Sequence, residues 1–209
     1  VSSFDISIQA RASGDFLAAT ILEGLAPSDL LIVEREWSPE RSDLMQELLA
    51  AGVDRRKWPQ SLHWDWSKKA PALRLLESSG FGLVCEKKWQ GVMMTRTASY
   101  SVRLNADRGK PLVYLDFLEI APWNWVIHDI NRPGLFKTIG LQLFWRAVQQ
   151  SLDEGFKGRV GLHSLPRAED FYRKCGMVEV GHDAAKQDLM YFELTQEGAE
   201  KFLTDGGYK

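Results

Sequence analysis

The chain has 209 residues, 44% of them hydrophobic and 26% charged, with a formal net charge of −2. That length and usage fit a packed core, as one large domain or one domain with a substantial extension. The near-neutral balance and scattered Lys and Arg leave no footprint for nucleic acid or an anionic membrane, and two cysteines, Cys85 and Cys175, exclude a disulfide framework.

The opening Val1-Ser-Ser-Phe-Asp5 lacks the basic and apolar regions of a secretory signal, and no apolar run approaches the roughly 18 residues that span a bilayer. A cytoplasmic location is expected. Asp15 to Gly24 reads as a short helix and Leu30 to Val33 as an apolar run of undecided type. Ser38-Pro-Glu-Arg is a helix start, with Leu44, Met45, Leu48 and Leu49 at helical spacing and Gly52 as the stop. A second helix is predicted over Ser67 to Ser78. Residues 1–80 therefore read as a mainly helical N-terminal region packed on a core formed by residues 81–209.

After Gly80 the period changes. Phe81 to Lys87 and Gly91 to Thr97 read as neighbouring strands around Lys88-Trp-Gln90, and Val113 to Ile120 as a central strand stopped by Pro122. Leu135 to Glu154 is an amphipathic helix with Ile139, Leu143, Ala147, Val148 and Leu152 on its inner stripe. A strand over Arg159 to Leu165, a helix over Pro166 to Lys174, a strand over Leu189 to Leu194 and a short terminal helix from Thr195 complete the order. Alternating strands and helices argue for a mixed sheet covered by helices.

Period-two alternation within Val113 to Ile120 places Asp116 and Glu119 on opposite faces of an apolar strand. A carboxylate in such a strand is expensive unless it is paired or faces a solvated cleft, and burial raises its pKa toward the range of a general base. Eight tryptophans are the compositional oddity, clustered as His63-Trp-Asp-Trp66 and Pro122-Trp-Asn-Trp125. Indoles favour cores, interfaces and clefts. The histidines and cysteines show no metal-ligand spacing. His163 and Ser164 are adjacent but lack a nucleophile elbow, and His128 and Asp129 read as solvated loop residues.

Ala168, Phe171, Tyr172, Gly176 and Met177 form the pattern A-x-x-F-Y-x-x-x-G-[FM] between a strand and the approach to another. The pattern resembles the last strand–helix unit of the GNAT acetyltransferase superfamily, and the element order over residues 81–195 agrees with it. None of the first 80 residues takes part. The resemblance implies an α/β (α+β) fold: a mixed, mostly antiparallel sheet flanked by helices, here with a helical N-terminal extension. It implies acetyl-CoA as cofactor and a small-molecule or peptide amine as acceptor. It also implies a central strand that splays from the next and exposes backbone to the pantetheine arm, at Ile120, Ala121 and Pro122. Glu119 becomes the first candidate for the base, Asp116 the second, and Tyr172 the acid that protonates the departing thiolate. Trp123, Asn124 and Trp125 become acceptor-site candidates, with His63 to Trp66 as a second wall of that cleft.

The superfamily holds the CoA pyrophosphate on a [QR]-x-x-G-x-[GA] loop at a helix start, where free amides and the helix dipole bind phosphate. Aligned here, the loop is Leu135 to Gly140, and only Gly140 matches. Lys137, Thr138, Ile139, Gly140 and Leu141 are the implied cofactor contacts, with Arg132 as added charge. Leu165 replaces an Asn that usually stands three residues before the Ala. The resulting reading is a GNAT-like N-acetyltransferase. Its alternatives are a non-catalytic acyl-CoA sensor or a protein-interaction module of the same fold, with a homodimer as a compatible assembly.

Overall fold

The computed structural model describes residues 2–206. Strand β1 (Ser3–Ala10) pairs with β2 (Phe16–Glu23) in a hairpin running from Ser3↔Leu22 to Gln9↔Phe16. The helix expected over Asp15 to Gly24 is thus a strand. Ala19 and Ile21 are buried while Ala18 before them and Thr20 between them are not, a period of two that cross-strand pairing imposes over the helical preference of alanine.

Helix α1 (Pro27–Ala50) starts well before the expected Ser38, with Pro27 in its first turn and the Ala26 amide donating to Asp29 Oδ2 at 2.7 Å. Its buried stripe, Leu30, Val33, Trp37, Arg41, Leu44 and Leu48, runs unbroken past Pro39. The amide missing at Pro39 removes one helical bond, and burial on both sides outweighs it. Helix α2 (Trp66–Lys69) is a single turn capped by Asp65, followed by a 3-10 turn at Ala70–Arg74. Pro71 prevents the longer helix expected to reach Ser78.

Strands β3 (Ser78–Cys85) and β4 (Lys88–Arg96) are joined through Glu86 and Lys87, both at positive φ, as a two-residue hairpin turn requires. Strand β5 (Val113–Ile120) lies where the apolar run predicts. Then come β6 (Phe136–Lys137), α3 (Ile139–Asp153), β7 (Val160–Ser164), α4 (Glu169–Lys174), β8 (Val178–Asp183), β9 (Leu189–Leu194) and α5 (Gln196–Asp205). The strand order is β6-β1-β2-β3-β4-β5-β7-β9-β8, mostly antiparallel, with β5 and β7 parallel. No helix among the described residues is long and apolar enough to cross a membrane.

By contact the chain divides into two compact units, one of residues 1–93 with 118–143, the other of residues 94–117 with 144–209. In the first, Leu44, Leu48, Trp125 and Ile127 form a buried cluster against which Ile120 packs. Gly91 is dictated by close packing there: a Cβ would stand 2.6 Å from Ile139 Cγ2 and 2.9 Å from Leu143 Cδ1. Its bare backbone lets the start of α3 settle onto β4. In the second, Phe144 meets Phe171, Tyr172 and Phe202 edge-on, and Val102, Leu112, Tyr114 and Tyr191 form a further buried cluster.

Candidate active site

In the first unit, Glu119 near the end of β5 is buried to 3% exposure. Two residues from the N-terminal region, Trp66 and Arg41, meet it. The Trp66 indole N–H donates to Oε2 at 2.6 Å, and Arg41 Nη2 donates to the same oxygen at 3.4 Å. Arg41 Nη1 lies 2.9 Å from both oxygens of Glu34, which also accepts the Trp66 backbone N–H at 2.8 Å. The other oxygen of Glu119, Oε1, is buried with no hydrogen-bond donor among the described residues. Burial pushes the Glu119 carboxyl pKa up, against the opposing pull of Arg41, of Ser61 and Trp66, and of Lys69.

Indoles surround this carboxylate. Trp37 meets Trp66 and Trp123 edge-on at 6.4 and 6.5 Å, Trp64 meets Trp66 at 6.4 Å, and the Lys69 ammonium lies 4.7 Å from the Trp64 ring centroid. The loop after β5 is tightly knit. Trp123 Nε1 and Asn124 Nδ2 both donate to Gln90 Oε1, at 2.8 and 3.0 Å, and Asn124 Oδ1 accepts the Phe136 amide at 3.1 Å. Gly134 packs so closely beneath that a Cβ would stand 2.5 Å from the Asn124 carbonyl oxygen. Asn124 and Trp125 are buried and half-buried Trp123 is the more open member of the trio. At Ala121 the amide donates to Gln90 O at 2.8 Å and the carbonyl accepts from Asn124 at 2.8 Å. The Pro122 carbonyl accepts from Trp125 at 3.2 Å.

The start of α3 belongs to the same unit. Its first helical bond runs from Gln142 N–H to Thr138 O at 2.9 Å, so the amides of Ile139, Gly140 and Leu141 precede the ladder. Thr138 adopts φ 68°. That left-handed conformation is one a β-branched residue rarely takes and glycine takes freely. Lys137 and Thr138 are exposed. Arg132 is drawn instead to Glu40 and Glu47 of α1, at 3.4 and 3.5 Å, and Asp129 is held by Lys57 at 2.7 Å.

In the second unit, β5 and β7 pair in parallel at only two rungs, Val113↔Val160 and Tyr114↔Gly161, although both strands continue past them. Asp116, beyond the rungs, is committed to Arg96, whose Nη2 and Nε lie 2.7 and 2.9 Å from Oδ2. Tyr172 on α4 is 6% exposed, ringed by Phe144, Phe171 and Phe192. Burial raises its phenol pKa, and its hydroxyl has no hydrogen-bond partner among the described residues. At Leu165, the carbonyl accepts from Ala168 N–H at 2.8 Å and from Ser164 Oγ at 2.9 Å. His163 is drawn into a relay, its Nδ1 2.7 Å from the Tyr114 hydroxyl and its Nε2 3.0 Å from Asp183 Oδ2.

The structure thus gathers Glu119, Trp123 and the α3 start in one unit, and Asp116 and Tyr172 in the other. Glu34 and Arg41 escape sequence reading. Their spacing of seven around Trp37 would mark one helix face, but only once the helix is read through Pro39.

No family model and no curated protein sequence matches the chain. Solved structures do. FeeM, an N-acyl amino acid synthase from uncultured soil microbes, superposes with a TM-score of 0.54 at 11% identity, over 90% of this chain and 96% of its own. A GNAT-family acetyltransferase from Listeria monocytogenes gives 0.51 at 16% identity, over 90% of this chain and 98% of its own. The chain has the GNAT fold.

Proposed function

We propose that the chain is an N-acetyltransferase that moves an acetyl group from acetyl-CoA to a primary amine by direct attack. One observation carries the reading: at the end of the GNAT central strand stands a buried carboxylate, Glu119, with one oxygen held by Trp66 and Arg41 and the other meeting no hydrogen-bond geometry among the described residues. An ammonium has no lone pair with which to attack a carbonyl. Glu119 Oε1 receives the proton that the amine must give up, and burial keeps that oxygen basic enough to take it.

The features that fit acetyl-CoA are the amides at 139–141 and the left-handed backbone of Thr138. Lys137, Thr138, Ile139, Gly140 and Leu141 would hold its pyrophosphate, and backbone around Ile120, Ala121 and Pro122 would hold its arm. When bound, it supplies the activated thioester. Tyr172 would give its phenolic proton to the departing sulfur, a role supported by its matching motif. Asp116 is the weaker base, since Arg96 already neutralises it. The acceptor is a small-molecule or peptide amine that meets Trp123, with Asn124 and Trp125 anchoring the loop beneath. The likeness to a synthase of N-acyl amino acids and to an acetyltransferase supports the reaction class.

A second reading, an acyl-CoA-binding module without turnover, is favoured by the replaced loop residues Leu135 and Thr138 and by Leu165. Thermal unfolding with and without acetyl-CoA, followed by an amine screen, tests both. A ligand at a hundred times its dissociation constant adds about 2.7 kcal/mol. A shift with CoA release supports the enzyme, a shift without release supports the module, and no shift at millimolar acetyl-CoA contradicts both.

A further inference from the structure

We propose that Glu34 and Arg41, both on α1, are positioning residues that set the pH at which Glu119 can accept the amine proton. The inference rests on Glu119 as the base. Arg41, 6% exposed at its side chain, divides one guanidinium between two carboxylates. Nη1 stands 2.9 Å from each oxygen of Glu34, whereas Nη2 reaches Glu119 Oε2 only at 3.4 Å. The shorter contacts belong to Glu34, so Glu34 holds the cation partly away from the base. The split leaves Glu119 under-neutralised in a site where an uncompensated charge is costly.

The other groups facing Glu119 are few. The Trp66 indole donates to Oε2, and the Ser61 hydroxyl and, through space, the Lys69 ammonium also favour the anion. Lys69 is spread over the Trp64 and Trp66 rings at 4.7 and 5.9 Å. Arg41 is the cation whose ion pair with Glu119 is direct, at 3.4 Å.

Two substitutions on one helix then act in opposite directions. Glu34→Gln releases Arg41 toward Glu119 and removes a competing negative charge, and both changes favour the Glu119 anion. Its amide oxygen still accepts the Trp66 backbone N–H, so the local fold is retained. Arg41→Gln strips the counter-charge and disfavours the anion, with Arg41→Lys between. A pair that served only to hold α1 in place would leave the ionisation of Glu119 unmoved.

The test is the pH–rate profile of acetyl transfer, together with infrared titration of the Glu119 carboxyl identified by its loss in Glu119→Gln. Both readouts are expected to move down in Glu34→Gln and up in Arg41→Gln, the latter by about 1 pH unit or more, as for a charge removed at this range. The infrared readout needs no turnover, and Glu34→Gln keeps the test open should Arg41→Gln not fold. Wild-type titration in the Glu34 and Arg41 variants would overturn the proposal while leaving the base assignment standing. Full activity in Glu119→Gln would overturn the base assignment itself, and the proposal with it.

Discussion

The Trp66 indole N–H donates a 2.6 Å hydrogen bond to Oε2 of Glu119, and the two residues stand 53 positions apart in the chain. The contact ties the N-terminal region to the strand end where chemistry is proposed. Trp66 is fully buried and Glu119 nearly so. Trp66→Phe is expected to cost roughly 1.5–3 kcal/mol, the range for a hydrogen bond to a charged group, in urea unfolding near neutral pH. The loss should shrink in a Glu119→Gln background, where no charge remains.

Glu119 also gives the chain a pH signature. Its folded pKa lies above the unfolded glutamate value of about 4.3 because burial disfavours the anion. The folded state then binds the proton more tightly than the unfolded state, so protonation helps folding. Stability from this group is present at low pH and falls as pH rises from the unfolded value through the folded one. Relative to Glu119→Gln, the wild type should lose stability across that window in urea titrations at successive pH values. Activity should run the other way, rising with pH as the base ionises.

Tyr172 separates chemistry from stability. Its ring is packed among Phe144, Phe171 and Phe192, whereas its hydroxyl bonds to nothing among the described residues. Tyr172→Phe keeps the ring and should leave the unfolding midpoint within about 0.5 kcal/mol of wild type. Loss of an acid that protonates the leaving sulfur should lower the rate by roughly 10²–10⁴. Unchanged turnover with acetyl-CoA and an accepted amine would remove Tyr172 from the chemistry.

Thr138 carries backbone strain at the start of α3, with φ 68° and its hydroxyl turned to the Lys137 carbonyl at 2.7 Å. A left-handed β-branched residue costs about 1–2 kcal/mol relative to glycine there, less the greater freedom glycine loses on folding. Thr138→Gly is therefore expected to stabilise the protein modestly and to leave acetyl-CoA binding intact or tighter. Thr138→Pro, whose ring fixes φ near −65°, should destabilise it and abolish the thermal shift.

Legibility in the sequence followed the reach of each interaction. Strands β5, β7 and β9 stood out because each concentrates apolar residues between turn signals, and α3 because its buried stripe recurs at helical spacing. Strand β2 did not, since Ala18 and Ala19 favour helix and only pairing with β1 makes them strand. Strand β8, Val178-Glu-Val-Gly-His-Asp183, is a largely exposed edge with little apolar pattern to read. Pro39 sent a true local signal that the stripe on either side overrode. At the site, Glu119 and Tyr172 were visible from type and motif. The partners of Glu119 were not, because Arg41 reaches it across 78 positions and no local pattern records such a meeting. Asp116 had the same local credentials as Glu119, and Arg96, 20 positions away, sets it apart.

The most direct measurement is release of free CoA thiol from acetyl-CoA by the purified protein against a panel of primary amines, with Glu119→Gln and Tyr172→Phe run beside it. Amine-dependent thiol release by the wild type, lowered at least a hundredfold in Glu119→Gln, is the expected result. No amine-dependent release, or equal release by wild type and Glu119→Gln, would contradict the assignment of this chain as an acetyltransferase that works through Glu119.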